Sequence, residues 1–172
     1  MKTKAITLMS VLIGVGAVLH AVIPPLVFGM KPDLMITMMF LSILLFPKVQ
    51  YVFITSIATA IISALTTGFP GGQIANMIDK PVTAFILLGL FLIAPSFFKS
   101  NLGAAIFTAV GTIISGVIFL TIALLFAGLP SGTGFLALLL TVVLPASILN
   151  TIMMVIIYPI AITLNQRMKI AY

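Results

Sequence analysis

The chain has 172 residues, of which 62% are hydrophobic and only 6% charged, with a mean hydropathy of +1.40. Soluble domains carry roughly a quarter charged residues, and a fold this small could not hide so much apolar surface; the composition calls for an all-α, multi-span membrane protein. The net charge of +6 comes from scattered basic residues rather than a basic stripe interleaved with aromatics, which argues against a nucleic-acid partner. The absence of cysteine excludes disulfides and thiolate metal sites.

Six transmembrane helices in a single domain are expected in chain order, at about residues 5–23, 33–46, 51–67, 80–98, 102–127 and 135–164. The start, Met1-Lys2-Thr3-Lys4, resembles a signal peptide, but no small-residue cleavage site with a hydrophilic region follows, so the first run reads as a retained span. Pro24-Pro25 stops it, and Pro32-Asp33 opens the second helix, since proline and an acid suit a first turn. The second run is short for a bilayer of about 30 Å, which takes about 20 residues, and so is tilted little, buried among neighbours or extended into its loop. The sixth is long and carries Pro145 and Pro159; a kink is expected at Pro145, where the bond to the Thr141 carbonyl is lost. With both termini cytoplasmic, Lys2, Lys4, Lys48, Lys99, Arg167 and Lys169 fall inside, and Lys31, Asp33, Asp79 and Lys80 outside, as positive-inside topology requires. Small residues at intervals of four (Ser56, Ala60, Ala64 and Gly68; Ser10 with Gly14; Ala17 with Ala21) favour close helix packing.

The stretch Leu65–Pro81 stands out. Between two apolar runs it holds a Gly-Phe-Pro-Gly-Gly turn, Gln73, Asn76 and the pair Asp79-Lys80, one of the two acids in the protein with its neighbouring cation. Glycines allow close backbone approach, and a helix start offers free N–H groups. A zwitterion arriving from outside would find N–H donors for its carboxylate, and Asp33 or Asp79 for its ammonium group. His20, near the outer end of the first span, is as readily a gating or site residue as a structural one. Phe69 and Phe28 are placed to cover an aromatic ligand or to dip into the interface, and Met35, Met38 and Met39 to fill an adaptable core. Asn150, five residues beyond Pro145, suits a structural bond to the freed carbonyl or a cavity.

There is no phosphate-binding Gly-x-x-x-x-Gly-Lys-Ser/Thr loop, no Gly-x-Ser-x-Gly elbow, and a single histidine. ATP hydrolysis by this chain alone, intramembrane catalysis, a metal site and a cofactor are therefore not expected.

Met30-Lys31-Pro32-Asp33, Leu44-Leu45-Phe46-Pro47, Ile62 through Pro70 and Asn76-Met77-Ile78-Asp79-Lys80-Pro81 resemble the bacterial tryptophan transport protein family. Gly111-Thr112-Ile113 with Ser115-Gly116, and Leu144-Pro145-Ala146 with Asn150-Thr151, extend the likeness over nearly the whole chain. That family is similar to the S components of energy-coupling-factor transporters. The resemblance implies an S-component-like bundle in the bacterial cytoplasmic membrane that takes up tryptophan from outside, with a coupling membrane subunit and paired ATPases as partners. The docking pattern of such subunits, Ala-x-x-x-Ala on the first helix, is met literally only by Ala17 and Ala21. Asp79, Lys80, Asn76, Gln73, Asp33, His20 and Phe69 are the candidate substrate-binding residues. Two other readings stand beside it: a self-sufficient proton- or sodium-coupled carrier titrating Asp33, Asp79 or His20, and a non-transporting assembly subunit.

Overall fold

The computed structural model describes residues 3–22, 24, 33–129 and 133–167; Phe28 and Lys31 lie outside them. The described residues form helices α1 (Thr3–Val22), α2 (Leu34–Leu45), α3 (Val49–Thr66), α4 (Gly72–Ile93), a short α5 (Pro95–Phe98), α6 (Asn101–Phe126), α7 (Phe135–Leu138) and α8 (Leu144–Arg167). A π-helical turn, Leu139–Val143, joins α7 to α8 without a break. Five segments are long and apolar enough to cross a membrane: α1, α3, α4, α6 and the continuous Phe135–Arg167.

Helix α2 is different. It has 12 residues, about 18 Å at 1.5 Å per residue, so it is too short to span a bilayer as a regular helix. Its sequence, Leu-Met-Ile-Thr-Met-Met-Phe-Leu-Ser-Ile-Leu-Leu, is apolar nearly all round, and a helix without a polar face must be covered on every side. Every one of its residues is buried, with α1, α3, α4, α6 and α8 packed against it. Phe40 meets Phe107 of α6 edge-on, with ring centroids 6.1 Å apart. Gly111 makes that approach possible, because a β-carbon there would come within 2.8 Å of the Phe40 ring and 2.7 Å of Leu87. The outward faces carry Val15, Val18, Ile54, Ile61, Ile86, Leu102, Leu125 and Ile156, all exposed. Such continuous apolar surface suits lipid rather than water.

Two local expectations need correction. The fourth helix begins at Gly72 and not near Lys80, so Pro81 lies inside it and Asp79 and Lys80 sit two turns in. The start is set by Gly71, which adopts φ +70° and whose β-carbon would collide with Ala127 at 2.3 Å. Proline is tolerated within the helix because neighbouring helices in a membrane bundle can re-satisfy the freed backbone. This helix ends at Ile93, and Pro95 opens α5. In the last span, a π turn over Leu139–Val143 stands directly ahead of Pro145, at the place where a kink was expected.

Replacing Phe40 by alanine should remove the centre of this packing and cost about 3–5 kcal/mol. Ile86→Ala, on the exposed face of α4, should change little. Thermal unfolding of both variants in detergent would show the contrast.

Candidate functional site

One end of the bundle holds a cavity of about 100 Å³. It is lined from the C-terminal end of α1 (His20), the start of α2 (Asp33, Ile36), the end of α3 and its following turn (Ser63 to Phe69), the first half of α4 (Asn76, Lys80), α6 (Thr112 to Phe119) and the π turn and start of α8 (Val142 to Asn150). Because the helices alternate in direction, residues far apart in sequence meet here.

Its polar side is built around Lys80. The ammonium group donates to Asp79 Oδ2 at 2.9 Å and pairs with Asp33 Oδ2 at 2.6 Å. An isolated buried ammonium would be very costly; two carboxylates make this one tenable. Asp79 is wholly buried and also accepts the Thr83 and Ser115 hydroxyls, both at 2.7 Å. Ser115 comes from α6, so this bond ties α4 to α6. Asp33 stands just ahead of α2 and caps it, its Oδ1 accepting the Ile36 N–H at 3.2 Å, with His20 Nδ1 3.8 Å away.

The apolar side is aromatic and branched. Phe69 and Phe119 pack edge-on at 5.4 Å, and Ile36, Val142 and Val143 complete the wall. Val143 reaches in because Gly116 has no side chain; a β-carbon there would come within 2.4 Å of it.

Of the seven residues singled out from sequence, His20, Asp33, Phe69, Asn76 and Lys80 line the cavity. Asp79 does not; it lies behind Lys80 as its anchor. Gln73 is exposed on the first turn of α4 and stands off the cavity. Asn76 donates to the Gly72 and Ser63 carbonyls at 2.9 and 3.4 Å, binding α4 to α3. Residues that sequence reading underweighted are Ser63, Thr112, Ser115, Phe119 and Asn150. Asn150 is fully buried and donates to Thr112 at 3.3 Å, while its Oδ1 faces no donor among the described residues. The proximity of Pro145 was a signal for Asn150; nothing local marked Ser115, 36 residues from the carboxylate it serves. Among the described residues no three His, Cys, Asp or Glu side chains gather where a metal ion could be held.

Lys80→Met would leave two facing carboxylates without their cation and should lower stability by about 3–5 kcal/mol. Adding Asp79→Asn should recover part of that loss, because one uncompensated charge is then removed. Unfolding of the single and double variants in detergent measures both.

Residues 2–166 match the family described as "Tryptophan transporter TrpP". The chain is 55% identical over 167 residues to a probable tryptophan transport protein of Bacillus subtilis (strain 168), covering 97% of this chain and 95% of the relative. It is 39% identical to a probable tryptophan transport protein of Clostridium acetobutylicum (100% and 98% covered), and 38% identical to one of Clostridium perfringens (92% and 91%). No solved structure matches the chain at a significant level. With nearly its full length matched and long apolar helices to embed it, the chain is a multi-pass protein of the cytoplasmic membrane and belongs to the TrpP family of tryptophan transporters, which are not enzymes.

Proposed function

We propose that this protein takes up tryptophan, capturing it from outside the cell in the cavity between α1, α2, α3, α4, α6 and α8. The observation that carries the reading is the meeting, in one buried space, of a charge cluster with an aromatic and aliphatic wall. One lysine lies between two aspartates, one of which opens on the cavity. That suits the α-ammonium group at Asp33, the acid that lines the cavity. Lys80 has three N–H donors and two acceptors, leaving a third for the α-carboxylate. The indole ring fits against Phe69, Phe119 and Val143, and its N–H finds Asn150 Oδ1, a buried acceptor without a donor among the described residues. Asp79 acts at one remove by holding Lys80.

Orientation follows from charge. Lys4, Lys48, Lys99 and Arg167 sit at helix ends opposite the cavity. Positive-inside topology then turns the cavity outward, with α2 as a short sixth crossing and both termini cytoplasmic. Capture from outside in the manner of an S component is supported by Ser10, Gly14 and Ala21, which are exposed small residues on α1 suited to a coupling subunit with its ATPases. A self-sufficient proton- or sodium-coupled carrier is favoured by a different observation: His20, Asp33, Lys80 and Asp79 form a buried ionisable chain at the site. Purified protein in liposomes decides between them, since uptake driven by an ion gradient without ATP establishes the carrier.

In a thermal-shift panel of all amino acids and indole, tryptophan should stabilise the purified protein selectively, because a ligand that binds only the folded form raises its apparent stability. Asp33→Asn should weaken tryptophan binding by about tenfold or more, about 1.4 kcal/mol. Asn150→Ala should abolish the preference for tryptophan over an analogue in which sulfur replaces the indole N–H, since that preference requires the acceptor. Calorimetric titration with both ligands tests each variant.

A further inference from the structure

Hydroxyls on membrane helices ordinarily bond to the carbonyl one turn back. Ser42, Thr66, Thr108, Thr121 and Thr151 all do so here, at 2.7–2.9 Å. Thr55, Thr59 and Ser63 of α3, and Thr37 of α2, do not. All four are buried, with relative exposures of 1%, 0%, 2% and 1%, and their hydroxyls meet no partner among the described residues. A buried hydroxyl left without any hydrogen bond is costly, and each of these forgoes a local partner that its neighbours use.

The positions are ordered. Thr55, Thr59 and Ser63 recur every four residues, one stripe of α3, rising about 12 Å along the axis. Ser63 lines the substrate cavity. Thr37 stands eight residues from the end of α2, about 12 Å above the tight α2–α3 link. Thr55 and Thr59 stand about 9 and 15 Å above it on the other side, so Thr37 falls at a level between them. Adjacent positions on the stripe are about 5–6 Å apart, the span of one water molecule bonded at about 2.8 Å to each side. Below Thr55 the stripe continues to Tyr51, which is buried and packs edge-on against Phe46 at 5.8 Å.

We propose that this hydroxyl stripe holds a single file of water continuous with the cavity at Ser63 and stopped by the Phe46–Tyr51 pair, and that it is the inward limb of the translocation path. The limb extends the tryptophan reading above, but its hydration does not depend on it. A capture protein that turns over bodily in the bilayer needs no path through its interior; a carrier with alternating access does.

The chain has no cysteine, so thiols can be placed one at a time. Thr55→Cys and Thr59→Cys, in protein reconstituted into liposomes, would be treated with hydrogen peroxide, an oxidant little larger than water that converts a thiolate to a sulfenic acid and releases hydroxide, and the modified fraction followed by mass spectrometry. Only a thiol in water forms the reactive thiolate, so both should be modified about tenfold or more faster than Ser56→Cys and Ile61→Cys. Ser56 is buried beside the stripe and hydrogen-bonded to the Phe53 carbonyl; Ile61 faces outward with 45% exposure. Equal rates at all four sites would overturn the hydrated stripe. Thr59→Val and Thr59→Ser supply a second readout. With water bonded at the hydroxyl, valine should slow maximal uptake by about fivefold or more, with the half-saturating tryptophan concentration unchanged and serine restoring the rate; a dry site would instead leave uptake intact and raise thermal stability, since an unsatisfied group is removed. Rapid labelling without tryptophan binding would sink the substrate assignment and leave the water file standing; tryptophan binding without rapid labelling would do the reverse.

Discussion

The structure depends on Lys80 being held between Asp33 and Asp79. A cation buried in a membrane bundle is tolerable only when opposite charge and hydrogen bonds surround it. Here the two carboxylates come from different places, one from the same helix and one from the cap of α2. The cluster therefore joins α2 to α4, and through Ser115 it reaches α6. The same ionic contact that makes the site polar also locks three helices in register.

Helix α2 explains why that contact lies where it does. A helix of 12 residues that is apolar nearly all round has no broad polar face to offer to water and is packed on all sides. Asp33 bonds the N–H of Ile36 and so satisfies one of the orphan donors at its start. The other carboxylate oxygen is left for Lys80. Helix α2 is shorter than the helices around it, and its start at Asp33 meets Lys80 two turns inside α4, where both line the cavity.

The two chemistries of the cavity match the two halves of an aromatic amino acid. In the proposed reading, charge selects the zwitterionic end common to all amino acids, whereas the Phe69–Phe119 wall and the Asn150 carbonyl address the ring. Discrimination in that reading lives in the second group, since a buried acceptor penalises any ligand that cannot donate to it. The π turn serves this arrangement: it lets the chain pass Pro145 without breaking the span and brings Val143 over Gly116 into the wall.

Sequence by itself determined the class, the number of apolar runs and the candidate charges, because hydropathy and the cost of intramembrane ions are properties of residue type. It marked Asp33, Lys80, Asn76, His20 and Phe69, since rare polar groups and a glycine-proline turn stand out against an apolar background. Tertiary structure decided which acid faces the cavity. Asp33 and Asp79 are equivalent in composition, but Asp79 is enclosed by Lys80, Thr83 and Ser115, and only Asp33 lines the space. It also decided the role of Leu65–Pro81: much of that stretch is helix, because the left-handed Gly71 starts α4 early and carries Pro81 into its interior. Ser115 was illegible for the same reason, and for Asn150 only packing chose the cavity over a local bond, as a hydroxyl or amide gains its meaning when a partner from a distant helix is brought against it.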